Sequence, residues 1–156
     1  MTGVGFGAAL VPATEGQRWP AAQSAHCSGG QTSGMARIRD IVVDCARPAV
    51  LARFWASVLA DYAVAPYDEA ELARLRAMGI DDVEDDPSVL VEGPPHAPRF
   101  FFQRVREEKV VKNRVHLDLA DDDVDRLVEL GATVIAHQPR WTVLCDPEGN
   151  EFCLLK

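Results

Sequence analysis

One order of elements, strand–helix–strand–strand–strand, can be read twice along this chain. That repetition constrains the fold more than any single residue, because each copy has one apolar sheet face to bury and both must share a core. In the first copy, 37–45 alternates as a strand, with Ile41, Val43 and Cys45 on one face and Asp40, Val42 and Asp44 on the other. Pro48 then opens a helix whose Leu51, Phe54, Trp55, Val58 and Leu59 form one apolar stripe. Residues 61–65 read as a short strand, and 88–92 and 99–105 complete the copy on either side of the turn-forming Gly93, Pro94 and Pro95. An extra helix is expected over 69–78, with Asp68 as its cap, Glu71 completing a capping box and Gly79 ending it. The acidic stretch 81–86 is expected to be a solvated loop.

The second copy starts at 114–119, with Val115, Leu117 and Leu119 toward the core and His116 and Asp118 on the opposite face. Asp121 to Asp123 place negative charge where a helix macrodipole favours it. Val124, Leu127 and Val128 supply that helix's buried stripe and Gly131 closes it. A strand at 132–136 and a hairpin of 141–145 and 151–155 follow, joined by the turn 146–150. The expected fold is α+β: two βαβββ modules, about 35–106 and 112–156, whose cupped mixed sheets surround a cleft with the helices on the outer face. Asp40 and His116 hold equivalent positions in the two copies and should face the cleft, with Asp44 and Asp118 lining it.

Residues 1–34 are rich in Gly, Ala, Ser, Thr and Pro and keep no period of 2 or 3.6, so they offer no face to bury. They read as a disordered leader or a mis-called start, with the domain at 35–156; His26 and Cys27 fall in this leader. The apolar stretch Val4 to Val11 has no Lys or Arg before it, so it lacks the basic region of a secretory signal. The expectation is a cytoplasmic protein whose four cysteines, Cys27, Cys45, Cys145 and Cys153, are reduced. A formal charge of −8 argues against nucleic-acid and anionic-membrane partners, which would need a basic surface.

Four stretches carry a resemblance to a known family: Ile41 to Ala46 with Phe54-Trp55, Lys112 to Leu119, Leu130 to Thr133, and Asp146 to Cys153. Together they resemble the glyoxalase-like domains of the vicinal oxygen chelate (glyoxalase/bleomycin resistance/dioxygenase) superfamily. The resemblance implies a cleft that holds a divalent metal through four side chains. Carried over onto this sequence, those positions are His116, Asp40, Gln103 (or, one residue away, Phe102) and Cys153. His is more usual where Asp40 stands, and a ligating Glu where Cys153 stands. A thiol at that position suits zinc better than iron, manganese or magnesium, and the other reading is a metal-free cleft with Cys153 a small buried residue.

Without a metal, His116 is a general acid or base oriented by Asp40 or Asp44, or it only hydrogen-bonds inside the cleft. The resemblance implies a small-molecule ligand, a homodimer, and lyase or isomerase chemistry other than that of glyoxalase I itself. A non-catalytic, ligand-sequestering protein is the alternative. A third reading is a regulatory module whose cleft is filled by Phe100, Phe102 and Trp141.

Overall fold

The computed structural model describes residues 37–120 and 122–156; the leader, with His26 and Cys27, lies outside them. In the first half the order is β1 (Asp40–Cys45), α1 (Pro48–Val58), β2 (Ala63–Val64), α2 (Glu69–Ala77), β3 (Ser88–Glu92) and β4 (Arg99–Arg104). In the second it is β5 (Asp118–Leu119), α3 (Val124–Glu129), β6 (Thr133–His137), β7 (Trp141–Cys145) and β8 (Glu151–Leu155). The sheets repeat one topology, β1-β4-β3-β2 and β5-β8-β7-β6, with the first and last strand of each copy paired in parallel. This is the α+β pair of modules expected from the repeat.

Pleat alternation decides which side chains reach the core. Phe100 and Phe102 of β4 and Val89 and Val91 of β3 are buried, together with Leu51, Phe54, Trp55 and Val58 of α1. Phe152 and Leu154 of β8, Leu144 of β7 and Leu127 of α3 belong to the same cluster. The rings of Phe54 and Trp55 meet Phe152 edge-on at 6.3 and 5.3 Å, so one helix closes the core of both modules.

A polar tie reinforces that contact. Trp55 donates from Nε1 to Asp146 Oδ2 at 3.1 Å, and buried Asp146 also accepts from the backbone N–H groups of Glu148 and Asn150. Gly149 takes φ +84° to let this turn close. Arg47, at the N-cap of α1, offers no side-chain cap; the Glu148 carboxylate accepts from the N–H groups of Ala46 and Arg47 at 3.1 and 3.0 Å instead. The Phe54-Trp55 pair and the 146–150 turn, far apart in the sequence, are therefore two sides of one joint.

Several local expectations change. Strand β5 is two residues long, and Val115, expected in the core, is 79% exposed because 112–117 runs along an open sheet edge. Helix α3 is one and a half turns and buries Leu127, leaving Val128 exposed. Asp68 accepts from the Glu71 N–H as expected, but the Glu71 carboxylate turns to Arg74 rather than back to the cap. The acidic loop holds a short 3₁₀ turn (Val83–Asp85), and Asp86 is buried, bound by Arg74, Tyr67 and the Ser88 N–H. Burial, followed by the charge and hydrogen bond of Asp86, pushes the Tyr67 hydroxyl pKa up.

Candidate functional site

The alternation that sends Phe152 and Leu154 into the core turns Glu151, Cys153 and Leu155 of β8 to the open face of the second sheet, beside Trp141 and Val143 of β7. These residues line a hollow of about 610 Å³. Its rim carries His116, Asp118, Lys112, Arg140 and Lys156.

On this rim, His116 Nε2 lies 3.2 Å from Asp118 Oδ1, an i, i+2 pair on one side of the chain, with the two side chains 47% and 52% exposed. The parallel register of β5 and β8 sets Asp118 opposite Cys153. One donor atom from each of His116, Asp118 and Cys153 falls within 4.8 Å of the others. Burial pushes the Cys153 thiol pKa up, and the charge of Asp118 and a hydrogen bond to it push it further. The thiol is thus protonated at neutral pH, and Asp118 stands beside both it and the His116 ring. A proton on His116 Nε2, facing the carboxylate, leaves Nδ1 with its lone pair free.

Asp40 is committed elsewhere. Its Oδ1 accepts from Arg99 Nε at 2.8 Å and Nη2 at 2.7 Å, and its Oδ2 faces Arg39 at 3.7 Å. Gln103 sits at the other end of β4, opposite Asp44 and Ser88, and does not line this hollow. Asp44 does line a hollow: with Val42, Val115 and His116 it borders a space of about 790 Å³ along the edge strands β1 and β5. Phe100 and Phe102 are buried against α1 and fill no cleft, whereas Trp141 forms a wall of the second-module hollow.

An imidazole nitrogen, a carboxylate oxygen and a thiol sulfur form a donor set that suits a thiophilic divalent ion such as zinc, which in catalytic sites takes three protein ligands and keeps one position open. His116, Asp118 and Cys153 are the residues that would hold it. Among the described residues no other group of His, Cys, Asp and Glu side chains is gathered this closely.

Sequence reasoning did not single out Arg140, Lys156 or Glu151, and the 109–114 segment that holds Lys112 reads from sequence as a partly solvated hinge rather than an anion-binding patch. The signal was the period-2 alternation of β7 and β8, which assigns Trp141, Val143, Glu151 and Leu155 to the same face as Cys153. Glu151 accepts from the Asn113 N–H at 2.9 Å and from Lys109 Nζ at 3.2 Å, pinning the inter-module linker to β8. The Asn113 N–H bond, helped by Glu151's own N–H and by Lys109, lowers its carboxyl pKa to about 2.

The sequence profile of the glyoxalase-like domain family matches residues 40–155. The fold is similar to that of a "possible Glyoxalase" from Bacillus cereus at a TM-score of 0.51 and 10% identity, over 78% of this chain and 100% of that one. It is also similar to the fosfomycin resistance protein FosX of Mesorhizobium loti (TM-score 0.49, 15% identity, 80% and 92% covered). A third similar structure is the trypanothione-dependent glyoxalase I of Leishmania major (TM-score 0.48, 15% identity, 78% and 87% covered). At such identities the likeness is one of fold. Among curated proteins none matches the sequence. Among the described residues no helix is long and apolar enough to cross a membrane. The matched profile spans both βαβββ modules and the hollow they carry, and the chain belongs to the glyoxalase-like domain family of the vicinal oxygen chelate superfamily.

Proposed function

We propose that this protein binds a small carbonyl compound in the second-module hollow and moves a proton on it, as a lyase or isomerase does. The observation that carries this reading is the His116–Asp118 contact of 3.2 Å at the open face of a hollow large enough for a small ligand. The free Nδ1 of His116 takes a proton from the carbon beside the carbonyl, and the C–H electron pair becomes the enolate. Asp118 holds the ring orientation and stabilises the imidazolium, which returns the proton to the same or a neighbouring carbon. The protonated Cys153 thiol donates to Asp118 and helps hold the carboxylate in place. A divalent ion held by His116, Asp118 and Cys153 would supply Lewis-acid polarisation of the carbonyl; His116 would then be a ligand rather than the base.

The test is hydrogen–deuterium exchange at the carbon next to the carbonyl, followed by NMR over a panel of ketones and 2-oxo acids, with elemental analysis of the untagged protein alongside. Exchange that His116→Ala reduces by about 10²-fold or more supports the acid–base reading. The variant should fold as the parent does, since an exposed side chain away from the core changes stability by no more than about 0.5 kcal/mol. Near-stoichiometric zinc that the variant loses would make His116 a ligand. Tight binding with no exchange would transfer the reading to a sequestering protein of the same fold. We also infer a cytoplasmic homodimer; Val110, Val111 and Val115 are more than half exposed around the inter-module linker, and a second copy would cover them. Sedimentation velocity decides the oligomeric state.

A further inference from the structure

Of the three cations that line the second-module hollow, none has a counter-ion among the described residues; Lys156 donates from Nζ to the Gln138 carbonyl oxygen at 2.9 Å, which leaves Arg140 and Lys112. Arg140 has its guanidinium 6.0 Å from the Trp141 ring centroid, and Lys112 projects into the same hollow. Among the described residues no carboxylate is in ion-pair contact with either. Seven other arginines are ion-paired, while Arg104, Arg106 and Arg114 are likewise without a carboxylate partner among the described residues; what sets Arg140 and Lys112 apart is that both line one hollow. The acids nearest by are already engaged: Asp118 with His116, and Glu151 with Lys109 and the Asn113 N–H. The wall between these charges is apolar, built by Trp141, Val143 and Leu155.

We propose that this hollow selects small organic acids, with the carboxylate held by Arg140 and Lys112 and the apolar or aromatic body laid on Trp141, Val143 and Leu155. The inference rests on the reading of this hollow as the ligand site and adds the substrate class. An anion approaching a protein of net charge −8 is repelled at long range, so a local patch of unpaired cations is what captures it. Arginine presents a planar fork that matches a carboxylate in two parallel hydrogen bonds, and lysine adds a point charge. Two cations facing an apolar wall suit one carboxylate better than a polyphosphate, which would bring more charge than this hollow offsets.

Isothermal titration of the full chain with benzoate, benzamide and phenyl phosphate tests the class. Benzoate should bind about tenfold more tightly than the isosteric neutral amide. Arg140→Gln and Lys112→Gln should each weaken benzoate by about tenfold without changing the circular dichroism spectrum, and Arg140→Lys should lose less. Raising the salt concentration should weaken benzoate and not benzamide. Equal binding of benzoate and benzamide, abolished by Trp141→Ala, would overturn the selection for acids while leaving the hollow as the ligand site. Benzoate binding that neither charge variant alters would place the anion elsewhere and overturn the inference. Phenyl phosphate binding well above benzoate would overturn the carboxylate assignment in favour of a phosphate. Silence of all three probes, with proton exchange still seen on neutral ketones, would overturn the inference alone.

Discussion

The two modules share one topology and differ in how they use it. In the first, an eleven-residue helix buries seven side chains, and Asp40 is tied to Arg99 at 2.7 Å. In the second, a six-residue helix buries Leu127 alone, and the open face carries His116, Asp118 and Cys153 together with unpaired cations. A duplicated fold thus divides its labour: one copy supplies apolar packing, and the other, resting on that packing, exposes polar groups. The second module can do so because α1 covers part of its core through Phe152.

The sharpest way to break this comparison is to remove the shared ring. Phe152→Ala should cost about 3–5 kcal/mol in urea denaturation, the range for emptying a buried phenylalanine site. It should unfold both halves in one transition. A loss below about 1 kcal/mol, or two separate transitions, would mean that the modules stand independently.

A smaller effect is expected from Glu148→Ala, which frees the N–H groups at the entrance of α1. The expected loss is about 1 kcal/mol, comparable to that of a helix cap. Recovery of most of it in Glu148→Gln, which keeps an acceptor oxygen, would identify the hydrogen bonds rather than the charge as the source.

The third effect, which depends on pH, concerns the linker. Glu151 has its carboxyl pKa lowered from an ordinary 4.5 to about 2, chiefly by the Asn113 N–H. A carboxylate lowered on folding adds stability that is complete above its unfolded pKa and lost as pH falls through the folded one. The stability difference between the parent and Glu151→Gln should therefore be constant above about pH 4.5 and close toward pH 2. A difference that persists unchanged at pH 2 would show that Glu151 acts by packing and not by charge.

Much of the fold was legible because it rests on local periods. The alternation of 40–45, the stripe of α1 and the turn after Cys145 are each carried by a few adjacent residues. Val115 and Val128 were misassigned because a period says which face a side chain is on, not whether anything covers that face. Asp86 was read as solvated for a similar reason: its partners Arg74 and Tyr67 lie outside the loop itself. At the site, His116 and Asp118 could be put on one face from spacing alone. That Asp118 meets Cys153, and that Asp40 meets Arg99, depends on the register of two parallel strand pairs whose members are 35 or more residues apart.

The sequence by itself determined the repeat, the strand faces and most of the core of the first module, because side-chain periodicity is a property of short segments. Tertiary structure alone decided which carboxylate stands beside His116, which cations lack partners, and that Glu148 secures a helix 100 residues before it. Those are contacts between segments brought together by folding, and their geometry exists only once the two sheets and α1 share one core.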